Sequence, residues 1–213
     1  MKFQELVEIL GDEPVFEPGL LFAGEMKPAD LRRQLSRWTK AGKLYQLRRG
    51  LYALAPPFQK MKPHPFLVAN RLVRSSYVSS QSALAFYGMI PEYVAMVTSV
   101  TTLRPGEWKT PLGTFRFQHI QPALFFGCRR TELGLGQEAF VATPEKALVD
   151  VIYLQPGADS LEYLRELRLQ QMEQLNISEL LRIVDLIQRP KLRGAAEKII
   201  ELGHEEKGGY ETL

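Results

Sequence analysis

The sequence predicts an α+β protein: an N-terminal winged helix-turn-helix plus a larger mixed α/β domain with a helical C-terminal part. Three observations carry that expectation. The first 57 residues read in the order helix, helix, basic helix, basic hairpin. A proline-bearing stretch, from Pro56-Pro57 through Pro63 and Pro65, then punctuates the chain. Beyond it, runs rich in Val and Thr or alternating in polarity precede a series of helical patterns.

The elements follow in order. Residues 3–10 form an amphipathic helix with Phe3, Leu6, Val7 and Leu10 on one side, ended by Gly11 and Asp12. Val15-Phe16 and Leu20-Leu21-Phe22, broken by Pro18-Gly19, predict a short second helix that ends near Gly24. Pro28 opens a third helix at its first turn, where a missing N–H costs nothing. That helix runs to about Ala41 and stops at Gly42, a favoured C-terminal residue. Lys43 to Leu47 and Leu51 to Leu54 read as short strands joined by a tight turn at Arg48-Arg49-Gly50. The expected division is a DNA-binding domain over 1–57, a linker over 58–65, a second domain over 66–205 and a mobile tail over 206–213.

In the second domain, helices are expected over 66–74 and 80–87, the latter stopped by Gly88. Val94 to Thr102 reads as a strand, and 114–120, 124–126 and 139–142 are strand-like. Thr143-Pro144 opens a helix through about Leu154, and three more helices follow over 161–175, 177–188 and 192–202. A polar tail starts at Gly203. Ser79, Ser80 and Ser82 are expected to cap a helix start. Asn176 and Glu179 have capping-box spacing. Lys146 and Asp150, four apart, are expected to pair on a helix surface.

Composition narrows the function classes. Hydrophobic residues make up 45% and charged residues 24%, typical of a soluble globular chain. The N-terminus lacks the apolar core of a signal peptide, and no apolar run approaches the roughly 18 residues that span a bilayer. A cytoplasmic location with no membrane partner is expected. The single cysteine, Cys128, excludes an internal disulfide and is expected to be a small buried core residue. His64, His119 and His204 lie far apart without cysteine partners, so neither a metal site nor a cofactor is expected.

The net charge of +3 is small but unevenly placed. Residues 27–49 hold eight Lys or Arg against one acid, Asp30, whereas residues 1–26 hold one lysine against six acids. A basic block of this kind is the electrostatic footprint of a nucleic-acid contact, with a solvated helix face as the plainer reading. The pattern inside the block favours the first. At 100° per residue Leu31, Leu35 and Trp38 fall on one side of the third helix, and Arg33, Ser36, Arg37 and Lys40 on the other. A helix must be apolar behind and basic in front to lie in a major groove while docked on its own domain. Arg33 and Arg37 are expected to read base edges, because a guanidinium fork bonds guanine O6 and N7 together, and Ser36 contacts either kind of base. Lys27, Arg32, Lys40 and Lys43 are expected on phosphates, with Arg48 and Arg49 as the wing contact. The expected partner is double-stranded operator DNA, at repeated sites.

Two other classes compete. One is a protein-interaction module that sets the basic face on an acidic partner. The other is a nucleic-acid-processing enzyme. A metal-dependent nuclease needs clustered carboxylates near a lysine, and Glu145, Lys146 and Asp150 are the only candidates. Adjacent Glu and Lys diverge by about 100° on a helix, and no phosphate-binding loop or nucleophile elbow is present. No catalytic residue is therefore expected.

Several stretches carry a family resemblance. They are Gly42-Lys43-Leu44 through Arg49-Gly50-Leu51-Tyr52-Ala53-Leu54, and Tyr77-Val78-Ser79-Ser80-Gln81-Ser82-Ala83-Leu84 with Gly88-Met89-Ile90-Pro91. Gly113 to Ile120 with Phe125-Phe126-Gly127, and Pro144-Glu145-Lys146-Ala147-Leu148-Val149-Asp150, complete them. Over roughly residues 3–155 the chain resembles the AbiEi family, the antitoxins and predicted transcriptional regulators of type IV toxin–antitoxin and phage-abortive-infection systems. The resemblance implies that the first domain binds operator repeats and represses its own operon. It implies that the second supports an antitoxin effect against a nucleotidyltransferase-like toxin, without a stable complex between them.

Overall fold

The computed structural model describes residues 1–21, 27–92 and 94–210, with side chains through residue 203. It is α+β. Helix α1 (Phe3–Leu10) is followed by a 3-10 turn at Pro18–Leu21, helix α2 (Pro28–Lys40) and the antiparallel hairpin β1 (Leu44–Arg48) and β2 (Leu51–Leu54). Gly50 takes φ +79° in the hairpin turn, the left-handed conformation that glycine adopts without a Cβ clash. Phe16 bridges Tyr52 through two backbone hydrogen bonds of 2.8 and 2.9 Å, which adds a single residue pair to the hairpin edge. Leu6, Leu10, Phe16, Leu21, Leu31, Leu35, Leu44 and Leu54 form a small separate core beneath these elements. The expected second helix is the 3-10 turn, and its expected end at Gly24 lies outside the described residues.

The rest of the chain builds a six-stranded mixed sheet with helices on it. Helix α3 (Pro65–Leu72) leads to β3 (Ser76–Val78), α4 (Ser80–Phe86), β4 (Met96–Thr101), β5 (Gly106–Thr110), β6 (Gly113–His119), β7 (Cys128–Glu132), β8 (Glu138–Ala142) and α5 (Pro144–Leu154). The strand order is β5-β6-β4-β3-β8-β7, with β4–β6 and β3–β8 parallel and the other pairs antiparallel. Helix α5 is central: it touches α4, β8, α7 (Ile177–Ile187) and α8 (Pro190–Tyr210), while the short α6 (Leu161–Glu166) lies against α8.

The two parts of the chain share a core. Val15, Leu47, Leu51 and Ala53 join the same buried cluster as Phe66, Tyr77 and Leu148. The stretch read as a linker is pinned as well. Gln137 accepts from the His64 N–H at 2.7 Å and donates to the Lys62 carbonyl at 3.0 Å. His64 then caps α3, its Nδ1 accepting from the Phe66 N–H at 3.1 Å. Burial lowers the His64 pKa below its ordinary value, because the half-buried ring resists charge. A lowered folded-state value means the contribution is whole above the unfolded pKa of about 6.5 and is lost as pH falls through the folded one. Stability should therefore drop between pH 7.5 and pH 5.5 by up to about 1 kcal/mol, the worth of one N-cap. Urea denaturation at both pH values checks this, and His64→Asn, which caps without titrating, should abolish the His64 part of the drop.

Several sequence expectations are corrected. The helix expected over 161–175 ends at Glu166: Arg168 and Gln171 take positive φ, and the Gln170 N–H donates to the Met89 carbonyl at 2.8 Å instead of continuing a helix. The strand expected at 124–126 is a 3-10 turn at Pro122–Leu124 followed by loop, which presents Phe125 to Tyr77 at 5.1 Å between rings. The polar tail expected from Gly203 continues as helix α8 to Tyr210. Gly203 lies 3.3 Å, at the position of a missing Cβ, from the Met172 side chain, so its smallness serves packing rather than termination. Strands β5 and β7 were not expected from the sequence. Both are edge strands whose residues are partly or fully exposed, and a polar edge has no apolar alternation to betray it.

Candidate nucleic-acid interface

Helix α2 is positioned by its buried side. Leu31 and Leu35 are sealed in the small core, and the half-buried Trp38 meets Phe3 edge-on at 5.4 Å. The opposite side is open: Arg33, Ser36, Arg37 and Lys40 are exposed, as are Arg32 on the flank and Lys27 just before the helix. Among the described residues Lys27, Arg32, Arg37 and Lys40 make no ion pair. Arg33 donates to Asp30 one turn back at 2.6 Å, yet its side chain stays 77% exposed. An exposed i,i+3 pair is worth little, so a phosphate or base edge can displace Asp30.

The remaining residues of the expected set divide. Arg49 stands exposed at the hairpin turn. Lys43 is half-buried, its Nζ 4.9 Å from the Phe3 ring and 5.9 Å from that of Phe58, so part of its charge is spent on an aromatic corner. Arg48 turns inward. It contacts Glu17 at 3.6 Å, donates to the Arg71 carbonyl at 3.4 Å and to the Arg49 carbonyl at 3.1 Å, and its buried Nε has no partner among the described residues. Six of the expected cations and Ser36 are thus exposed, Lys43 is half-buried, and Arg48 is turned inward.

The trio considered for metal catalysis is occupied structurally. Lys146 and Asp150 do pair, but in the core with no exposed area rather than on a helix surface. The Lys146 ammonium also donates to the Tyr77 hydroxyl at 2.9 Å, and Asp150 Oδ2 accepts from Tyr77 at 3.1 Å and Ser79 at 2.6 Å. Burial pushes the Asp150 carboxyl up, while the Lys146 charge and the three hydrogen bonds hold it down. Burial first, and the Asp150 charge second, push the Tyr77 phenol far above its ordinary value. Glu145 faces elsewhere and accepts from the Asn176 N–H at 2.9 Å. Among the described residues no group of three His, Cys, Asp or Glu is placed to hold a metal ion.

The serines are likewise not caps. Ser79 gives its hydroxyl to Asp150, and Ser82 accepts from the Thr98 N–H at 2.9 Å, tying α4 to β4. Ser80 takes φ +53°, and its buried Oγ has no partner among the described residues. Gly127 makes room for the ion pair: a Cβ there would lie 2.8 Å from Lys146 Cγ, and its φ of +73° disfavours any side chain. Cys128 is half-buried rather than sealed, and burial pushes its thiol up.

No family model matches the chain, and no curated protein does. Among solved structures, the RV2827C protein from Mycobacterium tuberculosis is similar, with a TM-score of 0.58 and 19% sequence identity. The match covers 93% of this chain and 75% of that one, so it takes in both the N-terminal elements and the six-stranded sheet. At this identity the likeness is one of fold. Among the described residues no helix is long and apolar enough to cross a membrane.

Proposed function

We propose that the chain is a sequence-specific DNA-binding transcriptional regulator that uses its N-terminal elements as a winged helix-turn-helix. One observation carries the reading: α2 buries Leu31 and Leu35 while it exposes Arg33, Ser36, Arg37 and Lys40 along the opposite side, with Arg32 exposed on its flank. A helix docked by one face and basic on the other is built to enter a major groove. In this reading Arg33, Ser36 and Arg37 face base edges, Lys27, Arg32 and Lys40 hold phosphates, and Arg49 is the wing contact. The resemblance of the Tyr77–Leu84 and Pro144–Asp150 stretches to the AbiEi family extends it to an autorepressor and antitoxin of a type IV toxin–antitoxin system in the cytoplasm. The functional partner is then a nucleotidyltransferase-like toxin, and rescue of growth on co-expression with the adjacent gene tests that part.

The DNA reading is tested by a gel shift on duplex from the protein's own promoter, with scrambled competitor, at two salt concentrations. A specific, salt-weakened shift is expected. Lys40→Ala should flatten the slope of log K against log salt by about one unit, the release of roughly one counterion. Absence of a shift at micromolar protein in low salt would sink the proposal.

A further inference from the structure

The wing is tied back by an acid. Glu17 follows Phe16, whose backbone is bridged to Tyr52 on β2, so its carboxylate is carried beside the hairpin. One oxygen lies 3.6 Å from Arg48 and the other 2.7 Å from Arg74, just past α3. Arg71, on α3, is paired separately with Glu13 at 3.2 Å.

The clasp on Arg48 is incomplete. Its contacts to Glu17 and to the Arg71 carbonyl, at 3.6 and 3.4 Å, are long for a guanidinium. Only the bond to the adjacent Arg49 carbonyl, at 3.1 Å, is of ordinary length, and among the described residues Nε has no partner. Glu17 is shared between two arginines. Arg48, Arg71 and Arg74 face Glu13 and Glu17 here, and Asp12 lines the same groove as Arg71 and Arg74. A guanidinium binds carboxylate and phosphate with the same fork geometry.

We propose that Glu17 is an internal stand-in for a DNA phosphate: it holds Arg48 back from the wing and restrains the affinity of the protein for duplex DNA. The inference rests on the DNA-binding reading above and adds an autoinhibitory contact to it. Removing the carboxylate frees Arg48 to turn toward the exposed side, where Arg49 already stands. The sign is diagnostic, because a contact that only holds the fold together gives weaker binding when lost, not tighter.

The test is fluorescence anisotropy of the full chain on promoter duplex across a salt series. It compares wild type, Glu17→Gln, Arg48→Ala, the double variant, and Glu8→Gln as a charge-only control on the exposed side of α1, with thermal melts alongside. Glu17→Gln should tighten binding about threefold to fivefold, since the gain cannot exceed the worth of the partly exposed pair that is released. It should also steepen the salt slope by about one unit. The double variant should lose that gain, and Arg48→Ala alone should stay within about twofold of wild type, since a clasped arginine holds no phosphate. An equal gain in Glu8→Gln, unchanged or weaker binding in a folded Glu17→Gln, or a tenfold loss in Arg48→Ala alone would overturn the clasp while wild-type binding leaves the regulator reading intact. If Glu17→Gln fails to fold, Arg48→Ala alone decides. If neither wild type nor Glu17→Gln binds, the regulator reading falls and the clasp with it.

Discussion

Asp150→Asn should destabilise the protein by about 3–5 kcal/mol, the usual cost of removing one partner of a buried ion pair. Lys146 and Asp150 have no exposed area, so no water can take over the lost charge. The ammonium would be left with the Tyr77 hydroxyl and the faces of the Tyr77 and Phe126 rings, 5.5 and 5.3 Å away. Those are too weak to hold a full charge in a medium of low polarity. Removing both charges together, as Lys146→Met with Asp150→Asn, should recover most of the loss. The amide that replaces the carboxylate can still accept from Ser79, and a methionine fills the space against Gly127. Urea denaturation of the three proteins reads the difference as a shift of midpoint. A melt of Asp150→Asn that matches wild type would show that the pair adds little to stability.

The second large effect is on binding. Arg33→Ala with Arg37→Ala should weaken specific DNA binding by about a hundredfold or more, since each bidentate base contact is worth roughly 1–3 kcal/mol. The fold should be untouched, because both side chains are exposed and neither enters the small core. Binding to the promoter duplex and to a scrambled one separates the roles. Arg37→Ala alone should cost roughly 1–3 kcal/mol on the promoter and little on the scramble, relaxing specificity. Equal loss on both would move Arg37 to the phosphate set and leave DNA binding itself standing.

Much of this protein was legible in the chain. The third helix lies within one residue of its expected bounds because Pro28 and Gly42 punctuate it and Leu31 and Leu35 repeat at its period. The hairpin turn was legible for a similar reason: Gly50 takes the positive φ that an Arg-Arg-Gly turn requires. Asn176 capping α7 and Thr143 capping α5 are local as well, each settled within three residues. The Glu179 half of the expected capping box is not made: the Asn176 N–H goes to Glu145, and the Glu179 carboxylate accepts from Arg182. Where a bond spans three or four positions, the residue types alone can call for it.

Other features needed the assembled fold. The sequence placed Lys146 and Asp150 together by spacing, but only the sheet decided that they are buried, since Tyr77 and Ser79 reach them across about 70 positions. The end of α6 was decided by Met89, and the fate of the Ser79 hydroxyl by Asp150, both far away in sequence. Arg48 shows the difference most plainly. Its type and its place beside a turn marked it as a wing residue, and the sequence could go no further. Glu17 and Arg71 became its partners only when the hairpin's inner side joined the larger core. Periodicity and punctuation set which side of an element is apolar, because they act within a few residues. Which neighbour then covers a side chain is set by burial shared among distant segments, and that is a property of the tertiary structure alone.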